Sequence, residues 1–281
     1  MSNKNPTVSI FKIIVLVVCI ILSILSLFPF IVMIVNSTRS TPQIQQHAIS
    51  LIPSKYFFNN LKVLVNGSFS PATGFLNSFI ISVGVTALGL YFSTLTAYAL
   101  VMYEWKAKKF FFSFIMAIMM IPATLTIIGF YQMIYKIGWV NKLFVLIIPA
   151  IASPALVFFM RQYMKPSVSV SLVESARIDG SKEFFTFNVI VLPIMKPALA
   201  TQGIFTFVTS WNNLFIPSVV LTQKEHYTLP IMVSLLNGDI YKREHGAIYV
   251  ALTLTALPLI VIYFILSKYI VAGVAMGSVK G

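Results

Sequence analysis

Charge is scarce in this sequence, and negative charge scarcer still. Asp and Glu number 7 against 20 Lys and Arg, and charged residues make up only 10% of the 281. A soluble domain carries about a quarter charged residues, so an ordinary water-soluble core is excluded. Cysteine is reduced to Cys19, inside an apolar run, which excludes an intramolecular disulfide and leaves no cysteine pair at metal-ligand spacing. It reads as a small packing residue. His47, His226 and His245 are scattered, so no metal site is expected. No Gly-x-x-x-x-Gly-Lys-Ser/Thr string occurs, which excludes a phosphate-cradling P-loop. No ten-residue alternation suggests a membrane barrel. No basic stripe with an aromatic platform suggests a nucleic-acid partner.

What is present is apolar: 58% of the chain, gathered in blocks. Six blocks lie near Ile10–Val35, Asn77–Tyr103, Phe110–Tyr135, Leu143–Gln162, Leu199–Leu221 and Ala247–Ser267. About 20 apolar residues in helical form cross a hydrocarbon core of roughly 30 Å. Unsatisfied backbone groups are costly in lipid, so each block is expected to be helical. The fold class expected is an all-α membrane protein with six transmembrane helices. The first block follows Lys4 and Lys12 but exceeds the roughly 7–15 residues of a signal-peptide core. With no small-x-small cleavage site, it reads as a retained span.

An even number of spans puts both termini on one side. With them inside, Lys4, Lys12, Lys106, Lys108, Lys109, Arg161, Lys165, Arg177, Lys182, Lys196, Lys268 and Lys280 are cytoplasmic, against eight cations outside. Lys106, Lys108 and Lys109 crowd one tight turn, where the positive-inside rule is most informative. This placement makes membrane lipid, through its anionic headgroups, the partner of the basic charge. Long outer loops are then residues 36–76 and 222–246, and about 36 residues (163–198) form one long inner loop.

The inner loop is too polar to cross and too helical in pattern to be slack. Ser171 and Glu174 have capping-box spacing, which predicts a helix start there. Leu172, Val173 and Ala176 then share a face, and Gly180 suits the helix end. Asp179 or Ser181 can cap a second helix on which Phe184, Phe187 and Ile190 or Val191 line up, limited by Pro193. Periodicity alone is equally satisfied by two helices lying on the membrane surface.

The string itself goes further. Glu174-Ser175-Ala176, then Gly180, then Ile190-Val191-Leu192-Pro193 resembles the cytoplasmic loop motif of binding-protein-dependent ABC importer permeases. Asn77-Ser78, Ala97-Tyr98-Ala99, Met120-Ile121-Pro122, Ala176 to Gly180, Ser210-Trp211-Asn212 and the terminal Gly277 to Gly281 resemble the carbohydrate class. The likeness is to the shorter, second permease of maltose-type transporters. Two departures occur: Ser175 stands for an alanine, and Asn213 stands where an acidic residue is common.

This resemblance implies a type I ABC importer permease fold with a cytoplasmic coupling-helix loop. It implies a loop surface of Glu174, Ser175, Ala176, Asp179, Gly180, Phe184 and Pro193 docked on an ATPase. It implies three kinds of partner: a second homologous permease in a heterodimer, two cytoplasmic ATP-binding subunits, and an extracytoplasmic solute-binding protein delivering a sugar or oligosaccharide. The chain itself is then not an enzyme and needs no cofactor. The implied boundaries are a first helix and short tail over 1–35, an outer loop over 36–72, a five-helix permease core over 73–268 and a cytoplasmic tail over 269–281. The implied location is the inner or plasma membrane of a prokaryote.

Trp211, Asn212 and Asn213 form the polar cluster of the fifth block. Intramembrane polar groups face a bundle interior or cavity, so they are candidates for the translocation path; interhelical amide hydrogen bonds are the other use. Pro122, Pro149, Pro154, Pro217 and Pro258 interrupt or flank spans, as in broken transporter helices. A secondary transporter is the main alternative, but the spans hold essentially no ionisable residue for ion coupling. A scaffold without transport is the other. A requirement for an ATPase partner separates the three.

Overall fold

The computed structural model describes residues 6–66, 70–238 and 244–278. Lys4, Lys242, Arg243, Lys280 and the last three residues of the terminal string therefore lie outside the described residues. Among those described, no strand occurs, and the elements are helices throughout. In order they are α1 (Pro6–Ser37), α2 (Thr41–Gln46), α3 (Phe57–Asn66), α4 (Pro71–Met102), α5 (Lys108–Met119), α6 (Ile127–Lys136), α7 (Phe144–Ile147) and α8 (Pro154–Ser167). They continue as α9 (Val170–Ile178), α10 (Glu183–Phe185), α11 (Leu192–Ile194), α12 (Lys196–Trp211), α13 (Phe215–Val220), α14 (Leu229–Gly238) and α15 (His245–Ser278). Short 3₁₀ turns join several of these, and a π-helical stretch at Thr186–Val191 joins α10 to α11.

The apolar blocks are helical, but only three are straight crossings. Ile10–Ser37, Pro71–Met102 and His245–Phe264 are each long and apolar enough to span a membrane alone. The other three blocks are bent pairs: α5 with 124–136, Phe144–Ala152 with α8 at 43°, and Glu183–Ile194 with α12 at 78°. Counting each bent pair once gives six crossings. The first bend falls at Pro122 and the second between Pro149 and Pro154, where a missing N–H and ring clash interrupt the ladder. The fifth block ends at Trp211 rather than Leu221, because Asn212 and Asn213 leave the helix before α13 begins. α4 starts at Pro71, ahead of Asn77, and α15 runs on to Ser278 instead of giving way to a tail after 268.

The chain divides into two compact units: residues 1–70 with Val233–Ala256, and residues 71–232 with Leu257–Gly281. In the first, α1 exposes its apolar side chains along its length, as a lipid-facing helix would. The connection after it is ordered by its own polar groups. Arg39 is buried and donates to Asn36 Oδ1 (2.9 Å), His47 O (2.7 Å) and Gln43 O (2.8 Å). Asn60 donates to Ser37 O and Arg39 O, both at 2.9 Å. A side chain on Gly246 would meet the Asn60 amide at 2.5 Å, so the start of α15 approaches α3 more closely than any larger residue permits.

In the second unit α4 is the central element, with α8 and α12 packed on it. One end of its core gathers Ala97, Tyr98, Met102, Met160, Met164, Phe187, Val191 and Met195. Gly89 lets Leu156 of α8 approach to 2.9 Å of where a Cβ would sit. Near the other end Asn77 Nδ2 donates to Glu225 O (2.9 Å) and Tyr227 O (3.0 Å), and Ser78 Oγ accepts from Leu229 N–H at 3.0 Å. Asn77 and Ser78 thus tie the connection before α14 to α4.

Candidate functional site: a pinned loop and a polar-walled cavity

The first helix of the loop after α8 begins two residues earlier than its capping-box spacing suggests. The N-cap of α9 is Ser169, whose Oγ accepts from Leu172 N–H at 3.3 Å, while Ser171 Oγ bonds to Ser169 Oγ. Ser169 has the extended backbone of a cap, with φ −75 and ψ 142, and Ser171 is already inside the first turn. The expected cap at Ser171 is therefore corrected. Glu174 is left exposed on the outer side, and Val173 and Ala176 face inward. Leu172 does not join them: it is exposed.

The end of α9 follows the sequence. Gly180 has φ +82, a left-handed conformation that costs any L side chain. Ser181 N–H donates to Ala176 O (2.9 Å) and Gly180 N–H to Arg177 O (3.0 Å), the paired bonds of a Schellman end. Open space surrounds Gly180, so conformation alone demands glycine there. Beyond it the expected caps Asp179 and Ser181 are not used; Lys182 occupies the N-cap of α10, and Ser181 Oγ pairs with Thr186 Oγ1 at 2.7 Å.

The π-helical stretch then resets which side chains face inward. Phe187 and Val191 are fully buried, whereas Phe184 is 69% exposed, so the expected shared face of Phe184 and Phe187 is not formed. Phe187 packs edge-on to Tyr91 at 5.7 Å and against Tyr98 at 5.5 Å between ring centres. A polar tie accompanies it. Arg177 Nε donates to Glu183 Oε1 at 2.5 Å, and Tyr98 Oη of α4 donates to Glu183 Oε2 at 2.9 Å. The Arg177 guanidinium also lies 4.9 Å from the Tyr103 ring centre. Glu183 sits in the loop, outside the α12 crossing, and the bond from Arg177 holds its carboxyl below the ordinary carboxylate range. Arg177, Glu183, Tyr98 and Tyr103 were not singled out as a set by sequence; only their presence in or beside quoted motifs signalled them.

The tie leaves an outward surface. Glu174, Ser175, Asp179, Gly180 and Pro193 are exposed, with Ile178 86% exposed beside them. Of the expected loop residues only Ala176 is buried.

Past the 78° bend, α12 walls a cavity of about 650 Å³ shared with α4, α6, α8 and the turns beside α7. Gln202, Thr206, Thr209 and Ser210 line it from one face of α12, with Asn213 just past the helix end. Opposite are Phe130, Phe159 and Leu156. Of the expected path cluster, Asn213 lines this cavity. Trp211 does not: it is buried, stacked on Phe207 at 5.6 Å and edge-on to Phe75 at 5.6 Å. Asn212 caps the end of α12 and is exposed. Amides and hydroxyls facing aromatic rings suit a polyhydroxylated solute, which hydrogen-bonds at its edges and stacks on its faces.

Residues 86–276 match the family described as binding-protein-dependent transport system inner membrane component. The chain is 31% identical over 283 residues to the arabinooligosaccharides transport system permease protein AraQ of Bacillus subtilis (strain 168), covering 100% of both chains. It is 34% identical over 250 residues to AraQ of Halalkalibacterium halodurans, 88% of this chain and 89% of that one. To the lactose transport system permease protein LacG of Rhizobium radiobacter it is 29% identical over 247 residues, 88% of each. Among solved structures, a chain from a bacterial ABC transporter involved in import of the acidic polysaccharide alginate has the same fold, with TM-score 0.82, 23% identity, and 96% and 100% of the two chains covered.

Proposed function

The chain belongs to the family of binding-protein-dependent transport system inner membrane components, and from that premise we propose that it is one permease of an ABC importer for a sugar or oligosaccharide. The observation that carries the reading is the loop over α9 to α11: pinned on its inner side by Glu183 and Phe187, it turns Glu174, Ile178, Asp179 and Phe184 outward. An exposed apolar pair rimmed by carboxylates is a docking surface of the helix-in-groove kind. Two cytoplasmic ATPase subunits are its partners, and they carry the hydrolysis. A solute-binding protein delivers the sugar on the other side. The arabinooligosaccharide and lactose permeases it is similar to support the carbohydrate class.

Asn213 with Gln202, Thr206, Thr209 and Ser210 forms this subunit's wall of the path, in place of the Trp211–Asn213 cluster. Both termini are cytoplasmic, as the Lys106–Lys109 turn supports, in the membrane of a prokaryote. The chain carries a single docking loop, so a second permease supplies the other, in a heterodimer. Reconstitution of this chain with ATPase and binding protein, with and without a candidate second permease, tests the reading. ATP-dependent sugar uptake is expected only with both permeases. Uptake without the second would overturn the heterodimer, and no uptake of any sugar in the full set would overturn the import function.

A further inference from the structure

Where α5 begins and α8 ends, the chain holds positive charge that its own carboxylates do not answer. The two helices run antiparallel: Ile115 packs with Val157, and the Arg161 guanidinium lies 3.9 Å from the centre of the Phe112 ring. The same register, carried one turn further, sets Lys165 opposite Lys108 and Lys109. Lys108 is satisfied by Glu104 Oε1 at 2.7 Å and Tyr103 O at 2.9 Å. Among the described residues Arg161, Lys109 and Lys165 have no ion pair. Arg161 Nε is buried without an acceptor, an unmet donor that ordinarily costs stability. Glu183 of the loop is taken by Arg177 and Tyr98.

We propose that this end of the α5/α8 pair binds the phosphodiester headgroup of an anionic lipid. Arg161, over the Phe112 ring, carries a planar fork suited to paired hydrogen bonds with phosphate oxygens. Lys109 and Lys165 flank it one turn nearer the headgroup level, as flexible point charges that reach outward from their apolar stems. Basic clusters between membrane helices recognise anionic headgroups by this chemistry. Inorganic phosphate offers the same oxygens from solution, and the test separates the two.

The full importer, purified with this chain wild type or variant, is placed in nanodiscs of phosphatidylcholine with rising fractions of phosphatidylglycerol, and retained lipid is read by native mass spectrometry. Wild type is expected to retain phosphatidylglycerol selectively. Arg161→Gln and the pair Lys109→Gln/Lys165→Gln are expected to lose retention by roughly fivefold per charge removed. Lys136→Gln/Lys142→Gln, at the far end of α6, is expected to match wild type. Arg161→Lys keeps the charge but not the planar fork, and is expected to fall between. Should Arg161→Gln accumulate poorly, the lysine pair carries the test alone. Equal retention by all variants overturns the proposal, as does displacement of the lipid by inorganic phosphate. Retention is read without transport, so its failure is distinguishable from failure of the import function.

Discussion

Two long connections in this chain solve opposite problems. The one after α1 turns its polar groups inward: Arg39 donates to Asn36, Gln43 and His47, and Asn60 closes the ring through Ser37 and Arg39. The one after α8 turns its functional groups outward and keeps only a few inward ties, at Glu183, Phe187 and the Gly180 turn. Both are rich in polar residues, so composition does not distinguish them. The first satisfies its polar groups internally, and the second leaves Glu174, Ile178, Asp179 and Phe184 exposed. Substitutions in the first should therefore cost folding, and in the second coupling.

The sharpest break of that contrast is Arg39→Met. It removes the donor from the buried Asn36 Oδ1 and from two partly buried carbonyls, at an expected cost of about 3 kcal/mol, seen as a lower thermal midpoint in detergent and reduced abundance. ATPase retained per surviving chain should stay normal; wild-type melting would show that Arg39 braces nothing. Gly180→Val is next. Forcing a β-branched residue to φ +82 costs about 1–2 kcal/mol locally, and should abolish ATP-driven uptake while the protein stays inserted. Normal uptake at normal abundance would remove the loop from the coupling path.

Glu183→Gln should act more mildly, uncoupling ATP hydrolysis from uptake in part by loosening the loop from Tyr98. The wild-type tie has a pH signature. Because the folded carboxyl titrates below its ordinary value, the tie is complete above the ordinary carboxylate range and is lost as pH falls through the lowered value. The variant has no such acid limb; identical acid profiles in coupling would refute the tie. The smallest effect is at the cap. Ser169→Ala should fray α9 by about 0.5–1 kcal/mol, speeding exchange of the Leu172 amide, whereas Ser171→Ala should leave it unchanged. The reverse result would restore the capping box at Ser171.

The apolar blocks and the Gly180 turn were legible because each rests on one local requirement: no free backbone group in lipid, and no side chain at positive φ. The bends were less so. Proline stands at two of them, yet Pro29 and Pro258 sit inside unbroken helices, because a break depends on what neighbouring helices supply to the freed carbonyl. The cavity wall follows plain helical spacing at Gln202, Thr206, Thr209 and Ser210, but small hydroxyl and amide side chains stand out less in a sequence than the aromatic Trp211, which packs inward. Phe184 and Phe187 were separated by the π-helical stretch, whose added residue per turn no 3.6-residue pattern anticipates. Arg39 reads from sequence only as one of the eight outer cations, since two of its three acceptors are backbone carbonyls whose positions no residue type announces.

The bend at Met195 has a mechanical meaning. Glu183–Ile194 and Lys196–Trp211 meet at 78°, so they form a bell crank, with arms of about 18 Å and about 24 Å at 1.5 Å per residue. A crank held at its elbow turns a sideways push on one tip into a near-perpendicular swing of the other, multiplied by the ratio of the arms, about 1.3. One tip stands beside Gly180, the other beside Asn213. Were the loop displaced with the elbow held, the motion would arrive enlarged and redirected at the cavity wall that Gln202, Thr206, Thr209 and Ser210 line.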